Sequence, residues 1–461
     1  MDSSHLTSRR AAVARSWDLR EGAVLVPSGL PVPIAGTDQQ HAFHAHPEFT
    51  YLAGVQTAGA ALGFDAAEGW TLFAPVAGQE DRVWVGDGES LDEIAASSAV
   101  ERVRPLNELD AWLESRRAEA LALLGNADLA AHPAAYGIQG WQSLELEPDE
   151  DLALHLSERI SEARRAKDAA EINLMRAAAD ASTRGHLAAL RLARPGMTER
   201  QLQIEIEAEF FRAGSARTAY GSIVGSGPNA AILHSSPSAR ALASGDLVLI
   251  DAGAEYNAYA SDVTRTFPID ATFSGIQRDL YQLVHSVQKA AIASVAPGVE
   301  YKALHVAACL GIASGLSDLG ILRGNAQDLV ARDAHALFFV HGLGHMLGLA
   351  THDAGGCLAG RSPSDRFGLK WLRADLPLQP GYVVTVEPGI YFIEALITDP
   401  VRRETFADAV DWPLVDSLRG FGGIRIEDDV LVTDTGADVL TAALPSAIAE
   451  IEAIRREALA S

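Results

Sequence analysis

The stretch from Leu247 to Ile269, LVLIDAGAEYNAYASDVTRTFPI, constrains this chain more than any other. An apolar run, Leu247 to Ile250, ends on Asp251 and a turn-forming Ala252-Gly253 pair. After Tyr256-Asn257 a second β-rich run carries Asp262 through Phe267, and the pattern predicts a hairpin with one carboxylate on each arm. Side chains alternate along a strand, so Leu249 and Asp251 share one side of the first arm, and Asp262, Thr264 and Thr266 share one side of the second. The two aspartates then look into the same space. Like charges a few ångströms apart in a poorly solvated site cannot both stay ionised unless a proton or cation sits between them. The pairing asks for a metal; the competing reading, in which Asp251 merely ends a strand and Asp262 is solvated, has to be decided by the rest of the chain.

Three later segments bear on that choice. In FFVHGLGHMLGLATHD, Phe338 to Asp353, the histidines 341, 345 and 352 recur at intervals of four and seven, which would gather the imidazoles on one side of a helix. In GYVVTVEPGIYF, Thr385 and Glu387 face one way and Val384 and Val386 the other; in GGIRIEDDVLVT, Arg425 and Glu427 share a face opposite Ile424 and Ile426. Asp251, Asp262, Glu387 and Glu427 with a neutral His345 total four negative charges, which two divalent cations neutralise. The set is oxygen-rich and hard, suited to manganese, cobalt or zinc rather than copper or a cluster. Cations of this kind lower the pKa of water by many units and polarise a carbonyl, so the reaction class that follows is hydrolysis by an activated hydroxide.

The remaining sequence sets the frame. At 461 residues the chain exceeds the size at which one core keeps growing, and two domains are expected. Short apolar runs at Gly22 to Gly29, Phe49 to Gly54, Ala60 to Asp65, Trp70 to Pro75 and Arg82 to Gly86 read as strands, and Leu91 to Ala96 and Leu106 to Leu124 as helices. This first α/β region ends in the polar ELEPDEDLA, Glu145 to Ala153. Its His41, His44 and His46 have only Glu48 as an acidic neighbour, and a loop or substrate-side role suits them better than a metal. From Leu154 the chain turns helical; Arg194 to Met197 stops the run, and Thr198 opens the next helix with a capping box to Gln201. Helices are expected from Gly275 to Ala293, Lys302 to Leu316 and along PSAIAEIEAIRREALA.

A formal charge of −24 would repel nucleic acid and anionic lipid, so neither is an expected partner. No apolar run approaches the roughly 20 residues needed to cross a bilayer, and the N-terminus lacks an apolar signal core, which reads as cytoplasmic. Cys309 and Cys357, without close spacing, suggest neither a disulfide framework nor a thiolate zinc site.

DAGAEYNAYASDVTRTF, HGLGHMLG, VEPGIYF and RIEDDV, in that order and preceded by ILH, resemble the pita-bread metallopeptidases that include methionine aminopeptidase, aminopeptidase P and prolidase. The likeness covers Leu154 to the C-terminus well and the first domain loosely. It implies an α/β (α+β) chain with a creatinase/prolidase-like domain over residues 1–155 and a catalytic pita-bread domain over 156–461. HDAGG from His352, the long connection to Arg419 and RGFGGIRIEDDVLVTDTG are most similar to the prolidase branch, the Xaa-Pro dipeptidases. The alternatives are an exopeptidase on longer Xaa-Pro peptides, acting as aminopeptidase or carboxypeptidase, and a non-catalytic binding protein of the same fold. The latter lose ligands, and all five are present here.

By resemblance, two divalent ions are implied, manganese first with cobalt or zinc as alternatives. Asp251 would chelate one ion, His345 and Glu387 the other, and Asp262 and Glu427 would bridge both. Glu387 would carry the proton, His234 and His352 would contact the scissile carbonyl, His341 would line the proline pocket, and Arg425 would orient Glu427. Arg419 is the candidate for the free carboxylate of a dipeptide, which a planar guanidinium fits well. The expected partners are proline-containing dipeptides or short peptides and a second copy of the chain, as a homodimer or dimer-based oligomer.

Overall fold

The computed structural model describes residues 3–116, 119–125, 128–138 and 148–460. The chain forms two compact units, Met1–Arg164 and Arg165–Ser461. The helix Glu150–Arg165 runs across position 155, and Glu145 to Glu147 of the expected polar boundary lie outside the described residues.

The first unit is built on a five-stranded sheet in the order Arg102–Pro105, Gly69–Ala74, Ala61–Asp65, Ala23–Pro27, Leu121–Leu123. Its central strands are the apolar runs at 22–29, 60–65 and 70–75, and Leu25, Ala61, Phe73 and Trp112 pack together as its core. Three local expectations change. Phe49 to Gly54 is the helix Pro47–Ala53, because Pro47 at its first turn is preset for helix and Gly54 ends it in the left-handed conformation. Arg82 to Gly86 belongs to the helix Gln79–Val85, started by a capping contact from Asp81 to the Gly78 amide and left almost wholly exposed. Leu106 to Leu124 is no single helix: it divides into a 3-10 turn at Leu106–Glu108, the helix Leu109–Glu114 and the strand Leu121–Leu123 that edges the sheet.

In the second unit, the helices Ala169–Leu192, Glu199–Arg212, Gly275–Ala293 and Tyr301–Asp318 bury their apolar faces against small antiparallel sheets. Val248, Ile250, Val384, Val386, Ile424 and Ile426 point into one core with Ile206, Phe210, Leu280 and Ile312 from the helices. That inward face leaves the alternate residues of the same strands free to line the opposite side, where Asp251 lies and towards which Asp262, Glu387 and Glu427 are carried from just beyond strand ends. The capping box at Thr198 is present, its hydroxyl accepting from the Gln201 amide at 3.1 Å. Among the described residues no helix is long and apolar enough to cross a membrane.

Leu247–Asp251 pairs antiparallel with Thr264–Pro268, with Asp251 opposite Thr264. The hairpin is not continuous. Ala254–Tyr256 and Tyr259–Ala260 turn at Asn257 and Ala258, both at positive φ, and join Arg217–Thr218 in a separate sheet. Asp262 therefore precedes the second strand instead of lying in it, and its amide donates to the Asp429 carboxylate at 3.1 Å.

The histidine segment is not a helix either. Met346 bridges Val384, the Leu347 amide donates to Val383 O, the Thr385 amide to His345 O and the Glu387 amide to Leu343 O. The segment thus runs extended beside Val383–Val386, with Gly344 so close that a β-carbon there would lie 2.2 Å from Thr385 O. Residues four apart share a face of an extended chain as they do of a helix, which is why the spacing misled about the element but not about the side.

Candidate active site

A cavity of about 990 Å³ in the second unit is lined by Asp251, Asp262, His345, Glu387 and Glu427 and by His234, His341, His352 and Arg425. Each expected site residue except Arg419 reaches it. Asp251 ends one strand and Asp262 leads into its partner; Glu387 leaves Val383–Val386, and Glu427 follows Gly423–Arg425. Asp251 ends a strand and the other three acids lie within two residues of one, so the neighbouring ladders fix the backbone while the side chains face the opening.

Asp262, His345 and Glu427 each offer a ligand atom within 4.8 Å of the other two, and all three are buried. His345 Nε2 lies 3.3 Å from Asp262 Oδ2 and 3.8 Å from Glu387 Oε1. Asp251 accepts from the Tyr220 hydroxyl at 2.6 Å and from Arg425 Nη2 at 2.5 Å. Arg425 also donates to the Tyr391 hydroxyl at 2.7 Å and, through Nε, to Thr264 Oγ1 at 3.0 Å; that hydroxyl donates to Glu427 at 2.6 Å. The guanidinium therefore reaches Glu427 only through Thr264, while it holds Asp251 directly.

The electrostatics of the cluster carry a conflict. Burial, then the charges of Asp262, Glu387 and Asp251, pushes the Glu427 carboxyl well up. Burial raises Glu387 to about 7 despite His345 and Arg425, and raises Asp251 against the pull of Arg425. Burial pulls His345 down, yet the hydrogen bond and charge of Asp262, with Glu387 behind it, lift it to about 9. Burial resists ionisation of Asp262, and the His345 contact nonetheless holds it low. A proton on His345 is thus the counter-charge the acids gather around, and a divalent cation would take its place more effectively. Four carboxylate groups and an imidazole lining one cavity, all buried but the half-buried Glu387, fit hard divalent cations.

His341 and His352 are neutral near pH 7. Burial and then Arg425 push His341 down to about 3, with its Nε2 at 2.9 Å from the Tyr391 hydroxyl. Burial and then His345 push His352 to about 4, its ring edge-on to His345 at 4.5 Å. Neutral imidazoles can donate to a carbonyl oxygen without adding charge.

Arg419 is not brought to the cavity. It lies exposed, paired with Glu394, because its loop turns outward after the short helix Trp412–Ser417. Sequence reasoning missed the cations that do line the wall, Arg200 and Arg373. Arg200 donates to Gln203 at 2.5 Å, whereas the Arg373 guanidinium has no hydrogen-bond or carboxylate partner among the described residues. It also missed Tyr220 and Tyr391. None of these four carries a local signal, since each matters only through neighbours distant in sequence. In the first unit, His46 precedes the helix Pro47–Ala53 and Glu48 accepts from Arg164 at 2.6 Å; His41, His44 and His46 belong to no metal-capable group among the described residues.

Residues 173–434 match the model of metallopeptidase family M24, and residues 6–122 match the aminopeptidase P N-terminal domain. Human Xaa-Pro dipeptidase is 33% identical over 90% of this chain and 85% of its own. A probable Xaa-Pro aminopeptidase of Botryotinia fuckeliana is 34% identical over 95% and 93%. Among solved structures, Pseudomonas aeruginosa aminopeptidase PepP superposes with a TM-score of 0.83 at 31% identity, covering 100% of this chain and 99% of that one. Escherichia coli aminopeptidase P with the inhibitor Pro-Leu gives 0.83 at 30% identity, covering 100% of both. The chain belongs to metallopeptidase family M24, with the pita-bread fold following an aminopeptidase P N-terminal domain in the sequence.

Proposed function

We propose that the chain is an Xaa-Pro dipeptidase, hydrolysing the imide bond before a C-terminal proline. The observation that carries the dipeptide assignment is Arg373: a guanidinium in the cavity wall with no acid of its own suits the free carboxylate of a short substrate. Asp251, Asp262, His345, Glu387 and Glu427 would hold two divalent cations, manganese first, with cobalt or zinc as alternatives. Bound there, the cations supply Lewis acidity and a water of lowered pKa.

The protein's own groups do the rest. Glu387 takes the proton of the attacking water and delivers it to the prolyl nitrogen, which is a poor leaving group until protonated. Neutral His352, together with His234, donates to the carbonyl oxygen as charge develops on it, and neutral His341 lines the wall on the proline side. Arg425 fixes Asp251 directly and Glu427 through Thr264. An imide lacks the N–H that strand-like substrate binding uses, so recognition by wall contacts and a carboxylate clamp suits this bond. Self-association is supported by Val83, Trp84 and Val85, which stand 76%, 74% and 79% exposed on one short helix of the first unit.

Xaa-Pro aminopeptidase action on longer peptides is the second reading, favoured by a cavity volume of about 990 Å³, far more than a dipeptide fills. A panel of Gly-Pro, Ala-Pro and proline-containing tri- and tetrapeptides, assayed on metal-stripped protein reloaded with manganese, cobalt or zinc, separates the two. Cleavage confined to dipeptides supports the proposal. Faster release from longer chains overturns it in favour of the second reading.

A further inference from the structure

The loop that carries His352 is held from one side by three consecutive residues, Arg165, Ala166 and Lys167, that precede the helix Ala169–Leu192. Ala166 bridges Tyr382, and the Lys167 amide donates to Gly381 O at 2.8 Å, so this segment is tied to the chain entering Val383–Val386. Lys167 Nζ lies 3.1 Å from Asp353 Oδ2, with both side chains 1% exposed, and also donates to Arg165 O at 3.3 Å. Arg165 donates to Gly355 O at 2.8 Å and Cys357 O at 3.0 Å. The loop is closed on its other side by the Asp353 amide donating to Met346 O at 2.9 Å. Gly348 leaves room for the pair: a β-carbon there would lie 2.3 Å from Asp353 Oδ2 and 2.8 Å from Lys167 Cε.

A buried ion pair is a poor device for stability alone, since an apolar pair of the same volume does as well or better. What it does well is fix one arrangement, because any other leaves a charge buried without its partner. The residue fixed here neighbours His352, whose ring meets His345 and lines the cavity. We propose that Lys167, through its buried pair with Asp353 and aided by Arg165, is a positioning residue that sets the reach of His352 to the scissile carbonyl. The catalytic consequence rests on the Xaa-Pro peptidase reading; the positioning of the loop does not.

The test uses the full-length protein and the double variant Lys167→Met/Asp353→Asn, which removes both charges and leaves neither unpaired. Hydrogen exchange over residues 346–357, read with and without manganese, is expected to quicken at least tenfold at the Asp353 amide, with the rest of the second unit unchanged. With a dipeptide substrate, kcat is expected to fall ten- to a hundredfold while KM and bound metal per chain stay near wild type. The same pair of substitutions made in a His352→Ala background is expected to cost little more than His352→Ala alone. Single-variant Lys167→Arg is expected to recover a large part of kcat. Unchanged exchange at Asp353, or full additivity with His352→Ala, overturns the proposal. If wild-type protein cleaves no Xaa-Pro bond yet the loop loosens as described, the peptidase reading has failed and the positioning has not.

Discussion

Replacing Arg373 by Met removes a cavity cation that has no acid partner among the described residues and keeps the aliphatic length of the side chain. A charge-assisted hydrogen bond to a carboxylate contributes about 1.5–3 kcal/mol, which is roughly ten- to a hundredfold in binding. Arg373 is open to solvent on one side, so the lower half of that range applies, and KM for Ala-Pro should rise roughly tenfold. Because the clamp acts on both ground and transition state, kcat should change little. The comparison that isolates the carboxylate is Ala-Pro amide: wild type should bind it as weakly as the variant binds the acid, and the substitution should leave it unaffected. Arg419→Ala serves as control, since that side chain pairs with Glu394 on the surface and should leave both substrates untouched. Steady-state kinetics on the acid and amide at fixed ionic strength decide it. Equal losses on both substrates, or a loss with Arg419→Ala instead, would show that Arg373 does not read the carboxylate.

Removing metal should destabilise the second unit, because four carboxylates in one cavity, three of them buried, then face one another; saturating metal at a hundredfold its Kd adds about 2.7 kcal/mol, visible as a rise in Tm over chelator-treated protein. Arg425→Met should lower metal affinity about ten- to a hundredfold, measured by titration into apo-protein, since Asp251 loses its guanidinium and the Thr264 hydroxyl its donor. His186, buried against Ala252 O at 2.9 Å, is pushed down to about 4 by burial, so the folded state keeps it neutral where the unfolded chain takes a proton. Its contribution is complete above pH 6.5 and is lost as pH falls from there towards 4, by up to about 3 kcal/mol. Urea unfolding at pH 7, 5.5 and 4.5 should show that slope, and His186→Gln should flatten it.

The legible part of this protein is the part whose geometry repeats. An acid on the face of a strand opposite Val384 and Val386, or opposite Ile424 and Ile426, announces its direction by alternation alone, and the cavity contains Glu387 and Glu427 accordingly. His341 and His345 were placed on one side by a spacing that serves an extended chain as well as a helix, so the side survived the error in the element. Arg373 had no such rule behind it. It lies in an irregular run, KWLRADL, whose course depends on contacts such as the Trp371 carbonyl against Gly342 and the Asp375 amide donating to Gly356 O, both far along the chain. Arg419, in a loop of the same character, had an equal claim from sequence and faces away. The division follows from chemistry. A cation-binding centre must collect several charges that repel one another, so it is built on ladders stiff enough to hold them, and ladders have a period. A clamp for one substrate carboxylate needs a single guanidinium at the rim, which a loop can supply, and a loop has none.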